Sequence, residues 1–172
     1  NNPADNSTTK SYTNTLCVII KMNIELINKN SKLLEKGIEY FWKQWGNASN
    51  FDFYKDCIEN SIYDDKSLPK FYLMLDEGKI IGSYALLIND LISRQDLFPW
   101  FACLFVDESY RNRGLANELI KHGIDESQKG GFDTIYLSTE LNDFYEKKGW
   151  KYYSKGYTAF GDSIKIYSKK LN

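Results

Sequence analysis

Residues 99–123 read Pro99-Trp-Phe-Ala-Cys-Leu-Phe-Val-Asp-Glu-Ser-Tyr-Arg-Asn-Arg-Gly-Leu-Ala-Asn-Glu-Leu-Ile-Lys-His-Gly123, and the rest of the chain is arranged around how they are parsed. Trp100 to Val106 is apolar or aromatic at every position, without two-residue alternation, as a strand covered on both faces should be. Polarity arrives abruptly at Asp107-Glu108-Ser109. Arg111-Asn112-Arg113-Gly114-Leu115-Ala116 follows, and Leu115, Leu119 and Ile120 give a helical apolar stripe. A buried strand therefore passes into a helix through a turn bearing two arginines and a glycine. The first N–H groups of a helix lack intrahelical acceptors and carry the positive end of its dipole, so such a turn favours an anion. Gly114 and Ala116 are small enough for close backbone approach, and Arg111 and Arg113 add positive charge. Many strand-to-helix turns also hold glycine and basic residues, so the turn alone leaves a plain structural corner open.

Two motifs in order are more specific. Arg111-x-x-Gly114-x-Ala116 resembles the Arg/Gln-x-x-Gly-x-Gly/Ala signature of the GNAT superfamily of N-acetyltransferases. Phe144-Tyr145-Glu146-Lys147-Lys148-Gly149-Trp150 resembles the Phe-Tyr-Glu-Lys-x-Gly-Phe segment near the end of these enzymes. The likeness spans residues 22 to 170. Asp96-Leu97-Phe98-Pro99-Trp100 and Tyr136-Leu137-Ser138-Thr139-Glu140 are similar to a bacterial branch of small members with mostly unassigned substrates. It implies an acyl-CoA N-acyltransferase fold of mixed α/β class, with a central mixed sheet splayed in the middle and helices on both faces.

It also implies a function: transfer of an acetyl group from acetyl-CoA to a primary amine, directly within a ternary complex. The implied coenzyme-binding residues are Leu104, Phe105 and Val106 on the central strand, then Arg111, Asn112, Arg113, Gly114, Leu115 and Ala116 around the diphosphate. Many members carry Asn seven residues before the tyrosine, to bond the pantetheine arm. Ser138 stands there in this chain, and Asn142 is a nearby substitute. Tyr145 matches the tyrosine that protonates the departing thiolate, and it also borders the coenzyme. A phenol of pKa about 10 gives its proton to a thiolate near 8.5 only uphill, so hydrogen-bond stabilisation of the sulfur is part of that role. The acceptor amine must lose a proton before it attacks, and Glu140 and Asp96 are the candidate bases. A coenzyme-binding module without catalysis, a sensor or assembly subunit, is the alternative with the same fold.

Composition sets the outer bounds. The sequence has 172 residues, 22 Lys and Arg against 23 Asp and Glu, and a formal charge of −1, which gives no reason to expect nucleic acid or anionic lipid as partner. One domain is expected: residues 1–14 as a polar N-terminal extension and 15–172 as a single acetyltransferase domain. No apolar run approaches the 18 or so residues of a membrane span. Cys17, Cys57 and Cys103 are odd in number and unpaired in spacing, so they read as reduced core residues of a cytoplasmic protein. His122 is the single histidine, which leaves little to build a metal site or a His-based triad from, and no metal is expected. The Gly-x-x-x-x-Gly-Lys-Ser/Thr phosphate loop is absent, which argues against a nucleotide-phosphate enzyme. Family members often form homodimers. The acceptor, a small-molecule amine or a protein amine, is not legible.

Along the chain, Leu16 to Ile20 and Asn23 to Ile27 read as strand. Asn30 or Ser31 can cap a helix carrying Leu33, Leu34, Ile38, Phe41 and Trp42, ended near Trp45-Gly46. A second helix covers Phe51 to Ile62, with Tyr54, Cys57, Ile58 and Ile62 on one side. Trp45, Phe51 and Phe53 either pack in the core or line the acceptor site, which the family places near the loop between these helices. Phe71 to Leu75 and Ile80 to Ile88 flank Asp76-Glu77-Gly78-Lys79 as a hairpin, with Gly82 marking a bulge or a close contact. Asn89 to Phe98 is a loop that either stays solvated or brings Arg94 and Asp96 to the acceptor. Thr134 to Leu137 is a buried strand, Asn142 to Lys148 a short helix ended by Gly149, and two closing strands start at Trp150 and Ser163.

Overall fold

The structure is a computed structural model that describes residues 22–61 and 68–171. The expectations for residues 1–14, Leu16 to Ile20, Cys17 and Ile62 fall outside the described residues. The chain runs β1 (Met22–Leu26), α1 (Leu34–Trp45), α2 (Phe51–Glu59), β2 (Lys70–Asp76), β3 (Lys79–Leu87), β4 (Trp100–Val106), α3 (Leu115–Lys129), β5 (Thr134–Thr139), β6 (Lys151–Tyr157) and β7 (Ser163–Lys170). All seven strands join one mixed sheet in the order β1-β2-β3-β4-β5-β7-β6.

Opposite faces of the sheet carry different helices. Ile38, Phe41 and Ile58 from α1 and α2 pack on Phe71, Leu73 and Ala85. Leu115, Leu119 and Ile120 from α3 pack on Tyr72, Met74, Tyr84 and Phe101 from the other side. The continuous apolar run of β4 is thus explained: it lies mid-sheet between the two layers. Gly123 lets α3 approach closely, since a Cβ there would sit 2.6 Å from the Phe101 ring. Gly37 is buried in α1, where a Cβ would fall 2.6 Å from Ile27 Cδ1. A glycine that weakens the helical pattern in sequence therefore serves packing.

Two irregularities shape the middle of the sheet. Met74 pairs with Gly82 but Leu75 with Ile80, so Ile81 is an extra residue on β3, and the backbone at Gly82 lies so near Phe105 that a Cβ would come within 2.9 Å of its carbonyl oxygen. Gly82 is therefore both a bulge neighbour and a close contact. On the next pair, Ser83 faces Phe105 and Ala85 faces Ala102, which puts Cys103 and Leu104 opposite Tyr84 alone. Cys103 takes φ of +54°, a left-handed conformation for a non-glycine residue. β4 and β5 are parallel but share a single pair, Trp100 with Tyr136, and no ladder pair follows it. The two strands part where the bulge begins.

Some local expectations are corrected. Residues 142–148 do not form a helix; a 3-10 turn covers only Glu146–Lys148 and is closed by Gly149 at φ of +79°. Ser31 accepts from the Leu33 N–H at 3.1 Å, one turn ahead of α1, whose own N-cap is Leu33 without a side-chain bond. Cys57 is exposed rather than core. Trp45, Phe51 and Phe53 are also exposed, so none of the three is a core residue.

Candidate active site

The corner after β4 is open. A short 3-10 turn, Glu108–Tyr110, leads into residues 111–114, where Asn112 and Gly114 take φ of +62° and +79° with Arg113 between them outside the left-handed region. Alternation of this kind turns successive N–H groups toward a common concavity suited to an anion. The first bond of α3 runs from the Asn117 N–H to the Gly114 carbonyl at 2.9 Å. The N–H groups of Asn112, Arg113, Gly114, Leu115 and Ala116 have no acceptor among the described residues. Beside them lies a cavity of about 370 Å³, lined by Val106, Tyr110, Arg111, Asn112, Gly114 and Ala116, with Phe144 and Lys148 from the far wall. Nothing lies within 4 Å of where a Gly114 Cβ would be, so the backbone is open to approach there.

The arginines are tethered rather than loose. Arg111 Nε donates to the Val106 carbonyl at 3.1 Å and its guanidinium lies over the Phe105 ring, while Arg113 donates to the Ser109 carbonyl at 3.0 Å. Arg111 also faces the Glu108 carboxylate at 3.7 Å, and each guanidinium still keeps donors for a ligand. Lys148, whose ammonium sits 4.4 Å from the Phe144 ring centroid, adds a third positive charge.

Tyr145 is buried at the join of β4, α3 and β5, in one apolar cluster with Val106, Leu115, Leu119 and Leu137. Its ring meets Phe144 edge-on at 4.9 Å and Trp150 at 6.0 Å. Burial raises its pKa to about 12, which keeps the phenol protonated at neutral pH. Among the described residues the sealed side-chain polar atom without a partner is Trp150 Nε1. The Tyr145 hydroxyl, also without a partner among the described residues, therefore keeps an open side.

The other sequence candidates lie apart. Asp96 is exposed and held by Arg94 through bonds of 2.7 and 2.6 Å, which lower its pKa. Arg94 also donates to Ser154 at 3.1 Å, so the pair fastens the loop to β6. The same loop is anchored by the Ile92–Thr158 bridge and a Ser93 N–H to Tyr157 carbonyl bond of 2.9 Å. Glu140 lines a shallow hollow with Tyr152, Lys155 and Lys165, away from the parting of β4 and β5. Asn142 is exposed, and its side-chain oxygen accepts from Lys165.

Sequence reasoning missed a group at the parting itself. Asp90 Oδ2 accepts from the Ser138 hydroxyl at 3.0 Å, bringing the loop after β3 onto β5. Desolvation raises the Asp90 pKa from 3.8 to about 6 against the opposing effect of Ser138. Its charge in turn raises the pKa of Cys103 on β4 and of Tyr54 on α2, both already raised chiefly by burial. Cys103 and Tyr54 belong to the cluster under α1 and α2, and Ser138 alternates along β5 with Leu137, which packs on the opposite side. No sequence signal marked Asp90, an acidic loop residue among several. Lys148 was visible as part of a motif, but its place on the cavity wall was not. Among the described residues no cluster of His, Cys, Asp and Glu could hold a metal, and no helix is long and apolar enough to cross a membrane.

Comparison with known proteins adds three kinds of finding. The family model described as "Acetyltransferase (GNAT) family" matches residues 34–150. A curated relative, N-alpha-acetyltransferase MAK3 of Arabidopsis thaliana, is 28% identical over 101 residues. That match covers 52% of each protein, so the chain spans about half the length of this relative. Among solved structures, an aminoglycoside 6'-N-acetyltransferase complexed with coenzyme A superposes with a TM-score of 0.65 at 16% identity, over 87% of this chain and 97% of that one. A GNAT family acetyltransferase from Elizabethkingia anophelis with acetyl-CoA bound gives 0.60 at 14%, over 87% and 98%. An acetyltransferase from Streptococcus agalactiae gives 0.62 at 24%, over 87% and 98%. These structural likenesses concern the fold.

Proposed function

The chain belongs to the GNAT acetyltransferase family, and from that premise we propose that it moves an acetyl group from acetyl-CoA to a primary amine by direct transfer in a ternary complex. What supports the reading is the parting of β4 and β5 after the single Trp100–Tyr136 pair, beside a corner of five unengaged amides. Acetyl-CoA supplies an activated acetyl thioester. The amides of residues 112–116, with Arg111, Arg113 and Lys148, hold its diphosphate. The backbone of Leu104 to Val106, which has no ladder partner on β5, bonds the extended arm and steers it into the gap.

Tyr145 holds a proton for the leaving sulfur. With its pKa near 12 it is a weak acid, so it acts by donating a hydrogen bond that strengthens as charge grows on sulfur. A free N–H on the splayed strand does the same for the thioester oxygen, a contribution of about 3 kcal/mol in enzymes where such a donor has been removed. A cytoplasmic setting and an acceptor that is either a small amine or a protein amine go with this reading.

The test is thiol release from acetyl-CoA by the pure protein with kanamycin, spermidine, butylamine and a peptide bearing a free N-terminus. Amine-dependent release together with a coenzyme-induced rise in Tm is the expected result. A rise in Tm with no release toward any amine would leave a coenzyme-binding module instead.

A further inference from the structure

We propose that Asp90 is the catalytic base, the group that receives the proton of the acceptor's ammonium, and that the acceptor is accordingly a cationic primary amine entering from the face covered by α1 and α2. The inference rests on the acetyltransferase reading and specifies its acceptor side. Asp90 bonds Ser138, two residues beyond the point where β5 last touches β4, and its charge is felt by Cys103, three residues beyond that point on β4. The carboxylate is thus fastened to β5 just past the point where it leaves β4.

Among the described residues, no cation engages it. Asp96 is engaged by Arg94, Asp107 by the Tyr40 hydroxyl at 2.6 Å, and Glu140 faces a different hollow. Among the described residues, Asp90 bonds the Ser138 hydroxyl from β5, and its charge acts on the Cys103 thiol from β4 and the Tyr54 phenol from α2. Burial raises both titratable neighbours, so thiol and phenol are neutral at pH 7, and no described cation acts on Asp90. An anion so placed without a counter-charge attracts an ammonium ion. Its pKa of about 6 leaves it ionised at pH 7 yet more basic than an ordinary carboxylate.

The protons balance. The ammonium gives one to Asp90, and the lone pair left on nitrogen forms the C–N bond to the acetyl carbon. The C–S bond breaks with its pair on sulfur, stabilised by the Tyr145 hydrogen bond, and nitrogen's second proton passes through that hydroxyl to the sulfur. Asp90, half-buried and reached by water, releases its own proton to solvent. Ser138 is a positioning residue: its hydroxyl stabilises the ionised carboxylate and sets where Asp90 titrates.

The experiment measures thiol release by wild type, Asp90→Asn and Ser138→Ala from pH 5 to 9, with acetyl-CoA and the four amines named above. Wild-type kcat/KM should rise with pH through about 6. Asp90→Asn should lose about 10²-fold and that acidic limb, while keeping the coenzyme-induced rise in Tm. Ser138→Ala should move the acidic limb to higher pH, because the Ser138 hydrogen bond lowers the Asp90 pKa, a shift that a merely structural serine would not produce. Should Asp90→Asn fail to fold, the Ser138→Ala limb decides. An Asp90→Asn rate within threefold of wild type, or an acidic limb unmoved in Ser138→Ala, overturns the proposal alone. A wild type silent toward every amine overturns the acetyltransferase reading with it.

Discussion

The Tyr40 hydroxyl donates to Asp107 Oδ1 at 2.6 Å, tying α1 to the residue where β4 ends and the turn into α3 begins. The two residues are 67 positions apart, and Asp107 also donates its N–H to the Ile81 carbonyl at 2.9 Å. The turn is thereby held from both neighbouring elements. Burial and the adjacent carboxylate push the Tyr40 pKa far above the ordinary phenol value, so the bond persists across the working pH range. Tyr40→Phe should lower stability by about 1.5 kcal/mol, the low end for a hydrogen bond to a charged group, because Asp107 is only partly buried. Chemical denaturation measures this, and a variant as stable as wild type would show that the bond does not hold the turn.

Gly114 occupies left-handed backbone space at the mouth of the amide-lined cavity. Gly114→Glu should abolish the rise in Tm given by acetyl-CoA, since it sends a carboxylate into the space claimed for the diphosphate. It should also reduce intrinsic stability by about 1 kcal/mol through the positive φ. A coenzyme shift equal to wild type would place the diphosphate elsewhere.

Tyr145→Phe removes the hydroxyl and keeps the ring that meets Phe144 and Trp150. The expected outcome is a kcat lower by about 10²-fold with coenzyme affinity within threefold, read by steady-state kinetics and calorimetry. With the phenol titrating near 12, wild type should show no loss of activity from Tyr145 ionisation below pH 9. Undiminished turnover in the variant would remove Tyr145 from catalysis.

Asp90 should carry a stability penalty where it is ionised. Its folded pKa, about 6 against 3.8, is raised, so the folded state binds more protons than the unfolded state between these values. Stability therefore falls as pH rises from about 4 to 6 and stays lower above. The full shift would amount to about 3 kcal/mol at 1.36 kcal/mol per unit, and partial solvent access reduces this to about 1–2 kcal/mol. Asp90→Asn should accordingly be more stable than wild type at pH 7.5 and equal to it near pH 3.5. Equal Tm values at both pH values would deny the desolvation of Asp90.

Gly123→Ala tests how closely α3 sits on the sheet. Alanine is favoured over glycine in a helix by about 1 kcal/mol, but the new Cβ would lie 2.6 and 2.7 Å from rigid atoms of the Phe101 ring and 3.1 Å from Tyr84. Overpacking against aromatic rings should win, with a net loss of about 1–2 kcal/mol on denaturant unfolding. A stabilised variant would mean that α3 can slide on β4 without resistance.

The open corner after β4, proposed here to bind the diphosphate, could be foreseen because it is local. Arg111, Gly114 and Ala116 lie within six consecutive residues, and a strand-to-helix turn sets the directions of its own amides. The same holds for the continuous apolar run of β4 and for the glycine-marked hairpin between β2 and β3, where hydrophobic pattern and turn chemistry act over short distances. The acceptor half could not be read this way. Asp90, Ser138, Cys103 and Tyr54 come from four separate elements, and nothing in the residues around Asp90 distinguishes it from Asp96, which the fold commits to Arg94.

By itself, then, the sequence determined one mixed α/β sheet, the β4–turn–α3 corner and the family to which its two motifs point. Only the tertiary structure decided where β4 parts from β5, that Cys103 takes up the bulge, and which carboxylate stands at the opening. The physical reason is range. A helix terminus or a buried strand is specified by neighbours in sequence, whereas a carboxylate's basicity depends on desolvation and on partners that folding brings from other elements.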